Sequence, residues 1–262
     1  HQPVVVLLGD CFTAYNEVPI GHSARRVLQA LGYRVEVLDA GCCARSMISV
    51  GLLREACATI DSTLARLAPV ALDDRVDAVL VVEPSCLSAI ADDWLHLRVD
   101  TDLATRRRVA AKCMSVEQFI ESRWERHPRP AKVSPAAGPP VVLHSHCHQK
   151  AVLGTASTAA LLRRVGGGRL RTPDTGCCGM AGSFGYAREK FDVSMRIANL
   201  GEAAPSEGGP TRVMPGGGVL PHVRAALRDD AGAMVVATGT SCRHQIKDGT
   251  GGTVRALHPV EV

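Results

Sequence analysis

The chain has 262 residues, of which 46% are hydrophobic and 21% charged, a balance that suits a packed globular protein and argues against disorder. Its net charge of +4 is scattered and aromatics make up 3%, which argues against a nucleic-acid partner and leaves too few rings for base stacking. No apolar run reaches the roughly 18 residues a transmembrane helix needs, and no signal-peptide pattern is seen, so a cytoplasmic protein is expected.

The chain opens HQPVVVLLGD, without a methionine and nearly on a strand, and reads as a piece of a longer protein. VVVLLGD at 4–10 is a short β-branched run that ends at Cys11. GHSARRVLQALGY at 21–33 reads as a helix. RVEVLDAG at 34–41 is a second strand and ends at the Cys42–Cys43 pair; VDAVLVVEPS at 76–85 is a third and ends at Cys86. Cys57 and Cys113 fall in stretches read as helical and are taken as ordinary buried thiols. PPVVLHSH at 139–146 ends at Cys147, and KAVLGTASTAALLRRVG at 150–166 reads as the helix that follows. GRLRTPDTG at 168–176 ends at the Cys177–Cys178 pair, and GAMVVATGTS at 232–241 ends at Cys242. Residues 201–218, rich in glycine and proline, read as an inserted loop.

Eight of the ten cysteines thus fall into two runs of single, double, single. The first interval is 31 residues in one run (Cys11 to Cys42) and 30 in the other (Cys147 to Cys177). The last is 43 (Cys43 to Cys86) against 64 (Cys178 to Cys242), and the loop supplies most of the excess. Strands alternating with helices imply parallel sheets with helical crossovers. The expected fold is α/β with two pseudo-symmetric halves, 1–136 and 137–262, the second carrying the loop at about 201–218. In such sheets sites lie beyond the carboxyl ends of the strands, where every repeated cysteine falls.

Four thiolates per half meet the ligand demand of an iron–sulfur cluster and also suit tetrahedral zinc. Neither half contains a CxxC knuckle, so the spacing favours a cluster spread over three strand ends. Gly176 and Gly179 are read as positive-φ positions that let Cys177 and Cys178 face one site. His144, His146 and His148 alternate along HSHCHQK and would share one face of a strand, opposite Cys147. His146 and His148 are candidate metal ligands or proton carriers, and His144 ranks below them. Lys150 and Arg243 sit beside the cysteines, where they could balance thiolate charge.

The stretches DCFTAYNE, GCCARSMISVGLL, EPSCLSAI, HSHCHQKA, GCCGMAGSFGY and GTSCRHQIKDGTG span nearly the whole chain. Together they resemble the cysteine-rich CCG domain family. That domain is found twice in one of the subunits of heterodisulfide reductase and in the iron–sulfur subunit of glycolate oxidase. The match is closer to the C-terminal part of bacterial FAD-linked oxidases of the D-2-hydroxyglutarate or D-lactate dehydrogenase type.

The resemblance implies an electron-transfer domain or subunit of a flavin-linked 2-hydroxy-acid oxidoreductase. Cys11, Cys42, Cys43 and Cys86 would form one metal site, and Cys147, Cys177, Cys178 and Cys242 the other. It implies a 4Fe–4S type cluster, with zinc or mononuclear iron as alternatives, and FAD on a partner domain or subunit. Further partners would be a ferredoxin-like iron–sulfur domain and a quinone or other acceptor, with a place in the cytoplasm or peripheral to the inner membrane. The other implied readings are a thiol–disulfide reductase component of the heterodisulfide reductase type and a zinc-stabilised docking module. Two departures stand out. The family motif ends in CxxC, whereas its second cysteine is Ala89 in one half and Gln245 in the other. The motif's glycine is Ala44 in the first half, a strained choice if that position needs φ > 0.

Overall fold

The computed structural model describes residues 2–133, 138–166, 168–201 and 213–262. Most of the expected inserted loop, residues 202–212, lies outside the described residues. The chain divides into two compact units. The first comprises His1–Val133, His148–Leu161 and Glu261; the second comprises Ser134–Cys147, Leu162–Val260 and Val262.

In the first unit, β1 (Val4–Leu8), β2 (Arg34–Leu38), β3 (Val76–Val81) and β4 (Cys113–Ser115) form one sheet. Its order is β2-β1-β3-β4 and every pairing is parallel. The residues of β1 are all buried, as expected of a central strand covered by helices on both faces. The helix Val18–Ala30 buries Ile20, Ala24 and Leu28, one position per turn. The helix Leu53–Ala71 buries Ala56, Ile60, Leu64, Leu67 and Ala71 against the sheet core. The helix expected over 21–33 starts earlier, with Pro19 in its first turn, and stops at Ala30 before Gly32 takes φ +95.

Cys113 is a correction. It lies in β4, not in a helix, and its thiol is buried. The helix Leu103–Lys112 ends just before it, and Cys113 to Ser115 pair with Val79 to Val81. Ser115 then opens the helix Val116–Ser122 through a capping box with Gln118.

In the second unit, β5 (Val141–His144), β6 (Leu170–Arg171) and β7 (Met234–Ala237) form a parallel sheet of order β6-β5-β7. The order second, first, third therefore recurs in both sheets. The chain is α/β, with two pseudo-symmetric parallel sheets whose crossovers are helical. Helices Phe191–Ala198, Val219–Asp229 and Thr240–Gly249 contribute Ala198, Val219, Leu220, Val223 and Ile246 to the core. The helix expected over 150–166 is broken: a π-helical turn Gln149–Leu153 ends at Gly154, φ +79, and an α-helix runs over Ala156–Val165. Among the described residues no helix is long and apolar enough to cross a membrane.

Candidate metal centres

Parallel strands end at the same edge of a sheet, so consecutive strand ends are neighbours. In the first unit Cys11 follows the end of β1 by three residues, Cys42 that of β2 by four, and Cys86 that of β3 by five. In the second unit Cys147 follows β5 by three, Cys177 follows β6 by six, and Cys242 follows β7 by five. The turns are built by local caps. Asp10, buried, accepts from the Phe12 and Thr13 amides at 3.0 and 3.1 Å and so shapes the π-helical turn behind Cys11. Glu83 caps the short helix Pro84–Ser88, accepting from the amide and hydroxyl of Ser85, and Cys86 lies in that helix. In the second unit Gly239 takes the corresponding cap position. A Cβ there would sit 2.3 Å from the His146 ring, so glycine makes room for the histidine.

In each unit the four thiols act on one another in a chain. Cys43 donates to Cys86 with the sulfurs 3.0 Å apart, and Cys11 and Cys43 both act on Cys42 to lower its thiol. Cys147 and Cys178 likewise act on Cys177 to lower its thiol, and Cys178 on Cys242. Cys42 and Cys177 are held far below the ordinary thiol range by those neighbouring thiols. Cys43 and Cys178, each set between two neighbouring thiols and buried, are pushed up. Exposure follows the same course twice. Cys11 and Cys147 are exposed, Cys42 and Cys177 half-buried, and Cys43, Cys86, Cys178 and Cys242 buried. Each chain thus leads from solvent into a hydrophobic core.

The vicinal pairs are bent toward one site by a left-handed residue directly behind them. Gly179 has φ +92 and Ala44 has φ 61. Gly176 does not take a positive φ, which corrects the reading of that glycine. What it provides is closeness: a Cβ there would lie 2.6 Å from the Gly216 carbonyl oxygen. The bend also aims backbone N–H groups at sulfur. Ala44 donates to Cys42 Sγ at 3.4 Å and Gly179 to Cys177 Sγ at 3.3 Å. The next amides, of Arg45 and Met180, act on Cys43 and Cys178 in the same lowering sense. Two effects oppose each other at Ala44. The left-handed backbone costs about 1–2 kcal/mol there. The buried methyl and the lower chain entropy return about 0.8 and 0.4–1 kcal/mol. Ala44→Gly is therefore expected to unfold in urea within about 1 kcal/mol of the parent. A loss well beyond that would show that residue 44 does not take the left-handed turn.

The surroundings of the two chains differ in charge. Near Cys11 and Cys86 stand the buried carboxyls Asp10 and Glu83. For Cys86 the Cys43 hydrogen bond acts to lower the thiol, but burial and those carboxyls prevail and raise it. Near Cys177 and Cys242 stand His144 and, for Cys242, also His146. His146 is buried, with its Nε2 3.5 Å from Ser241 Oγ. The strand β5 stops at His144, so the three histidines do not share a strand face. His148 lies in the first unit, its Nδ1 3.0 Å from Ser88 Oγ. Arg243 is buried and donates to the Ala237 and Thr238 carbonyls and to Thr240 Oγ1, holding the end of β7. Lys150 is exposed. Gln245, at the position of the missing cysteine, donates to Ser194 Oγ at 3.0 Å.

Among the described residues no three His, Cys, Asp or Glu side chains stand ready-arranged about one metal position. The donor chemistry nevertheless fits a thiolate-bound metal. Ligation needs deprotonated sulfur and releases protons, and each chain already holds acceptor sulfurs supported by N–H groups. Cys113 belongs to neither chain; burial pushes its thiol up to about 12. The carboxyls Asp10 and Glu83 were absent from the expected site. Their signals were in the sequence: Asp10 precedes Cys11, and Glu83-Pro84 is a helix-start pattern three residues before Cys86. Trp94, whose Nε1 donates to the Cys43 carbonyl at 3.0 Å, had no such signal.

Comparison with known proteins finds a family match over the part of the chain that holds the first set of cysteines. Residues 5–91 match the family model of the CCG cysteine-rich domain. Over 272 residues, 99% of this chain, the sequence is 24% identical to one subunit of the anaerobic glycerol-3-phosphate dehydrogenase of Escherichia coli strain K12. Over 259 residues, 98% of this chain, it is 23% identical to the D-2-hydroxyglutarate dehydrogenase of Pantoea ananatis. It is 28% identical over 188 residues to the uncharacterized protein YkgE of Escherichia coli K12, covering 68% of this chain and 74% of that protein. The chain spans 58% of the glycerol-3-phosphate dehydrogenase subunit and 22% of the D-2-hydroxyglutarate dehydrogenase.

Proposed function

We propose, from the premise that this chain carries a CCG cysteine-rich domain over residues 5–91, that it is the electron-transfer part of a flavin-linked 2-hydroxy-acid oxidoreductase. The observation that carries this reading is the pair of four-thiol chains, each running from an exposed to a buried cysteine beyond parallel strand ends. Cys11, Cys42, Cys43 and Cys86 would hold one iron–sulfur centre, and Cys147, Cys177, Cys178 and Cys242 the other. A cluster of the 4Fe–4S type, when bound, supplies one-electron transfer at a potential set by burial and by hydrogen bonds to sulfur. This chain's part is to supply thiolates, N–H donors and a covered core around them.

The flavin would lie on a dehydrogenase domain or subunit, with a ferredoxin-like domain and a quinone or other acceptor as further partners. A position in the cytoplasm, peripheral to the inner membrane, suits that partnership. The reading is supported by two relatives that are named dehydrogenases, one of them for a 2-hydroxy acid.

Anaerobic purification followed by metal and acid-labile sulfide analysis and an absorption spectrum tests it. Brown protein with iron and sulfide is expected, and Cys42→Ser and Cys177→Ser should each remove about half of the iron. Colourless protein holding zinc would overturn the electron-transfer role.

A further inference from the structure

β1 and β5 hold the same place in their sheets, and each ends three residues before its cysteine. This makes the first unit an internal control for the second. β1 ends on Leu8, a core residue 3% exposed. β5 ends on His144, also 3% exposed. An imidazole stands where the other half needs only a hydrocarbon, and burying its polar edge costs stability unless the edge has a partner. Nδ1 has one: Thr175 Oγ1 lies 2.7 Å away. Nε2 is buried and has no hydrogen-bond partner among the described residues. The ring stands close enough to Cys242, the innermost sulfur of the second chain, and to Cys177 to lower both thiols.

We infer that His144 is a nitrogen ligand of the second metal centre, joining Cys147, Cys177, Cys178 and Cys242. The inference rests on the reading that this set of cysteines binds a metal. Metal-bound histidines commonly fix the second ring nitrogen on an oxygen, as Nδ1 is fixed here on Thr175, and present the other to the metal. The second unit also has room for such a donor, because Gln245 stands where the family motif has a cysteine and turns its amide nitrogen to Ser194. The first unit has no counterpart, since Leu8 ligates nothing. The two centres therefore differ in donor set, sulfur alone in one and sulfur with nitrogen in the other.

Cadmium serves as the probe, because 113Cd couples to a directly bound 15N nucleus. The full chain, labelled with 15N-histidine, is titrated anaerobically with 113Cd. One histidine Nε2 resonance is expected to split, and the splitting should vanish in His144→Leu, which installs the residue the first unit already tolerates. Thr175→Val should weaken cadmium binding at the second set about 10–100-fold. Cys177→Ser identifies which bound cadmium belongs to that set. Cadmium bound at the second set of the parent chain with no split histidine, or a splitting that survives His144→Leu, overturns the inference while leaving the metal reading intact. No cadmium bound at the second set overturns both. The parent measurement alone decides, should either variant fail to fold.

Discussion

Gly179→Ala is expected to destabilise the second unit by about 2–5 kcal/mol and to empty the metal centre proposed for it. The backbone at Gly179 is left-handed, φ +92, which costs a side-chain-bearing residue about 1–2 kcal/mol. The added Cβ would also lie 2.1 Å from the Ser194 carbonyl oxygen and 3.1 Å from Gln245 Nε2. Ser194 is fully buried in the helix Phe191–Ala198, and its hydroxyl donates to the Gly179 carbonyl at 2.9 Å. The obstacle is helix backbone, so the loop must move, at a further cost of about 1–3 kcal/mol. That movement carries the Gly179 N–H away from Cys177. Ala44, at the matching place in the first unit, shows that alanine is tolerable where no such obstacle exists. Urea unfolding and iron analysis test this together. A change below about 1 kcal/mol with full metal content would mean that the Cys177–Cys178 loop does not pack on Ser194.

Trp94→Ala should cost about 3–5 kcal/mol and should act on the first centre. Trp94 is 1% exposed in the core cluster that also contains Cys43 and Cys86. Its removal leaves a large cavity and strips the Cys43 carbonyl of the indole donor at 3.0 Å. The neighbouring Asp93 holds Arg45, the residue after Ala44, at 2.6 Å, so the segment behind Cys86 grips the cysteine pair at two points. Trp94→Phe separates the contributions: it keeps most of the volume and loses the hydrogen bond, at about 1–3 kcal/mol. The readouts are thermal unfolding and the metal content of the chain carrying Cys177→Ser, in which the first centre is observed alone. If Trp94→Ala lost less than about 2 kcal/mol, the indole could not be buried beside the cysteine pair.

The cysteine repeat was legible because strand ends carry it: β-branched runs, then a thiol, at intervals that recur. What eluded the sequence had short range or distant causes. β4 is three residues between two helices, too brief to show any alternation, so LATRRRVAAKCMSVEQFIES reads as one helical stretch. The HSHCH alternation suggested a strand face, but β5 stops at His144 and the His146 amide turns to Thr238 Oγ1. Local periodicity cannot announce where a strand ends when a partner some 90 residues away ends it. Gly176 was read as a free-turning residue, whereas its reason is the Gly216 carbonyl, a contact visible only in three dimensions. His144 was ranked below its neighbours because, in one dimension, nothing shows that its ring is buried at the end of a strand.

The amides that serve Cys42 and Cys177 belong to residues of different identity, Ala44 and Gly179. A peptide N–H survives every side-chain replacement except proline. A catalogue of tolerated substitutions would therefore record these positions as matters of size and turn preference, and would pass over the charge they neutralise. Selection here acts on the path of the main chain, and the letters written along that path can change while the donor stays in place.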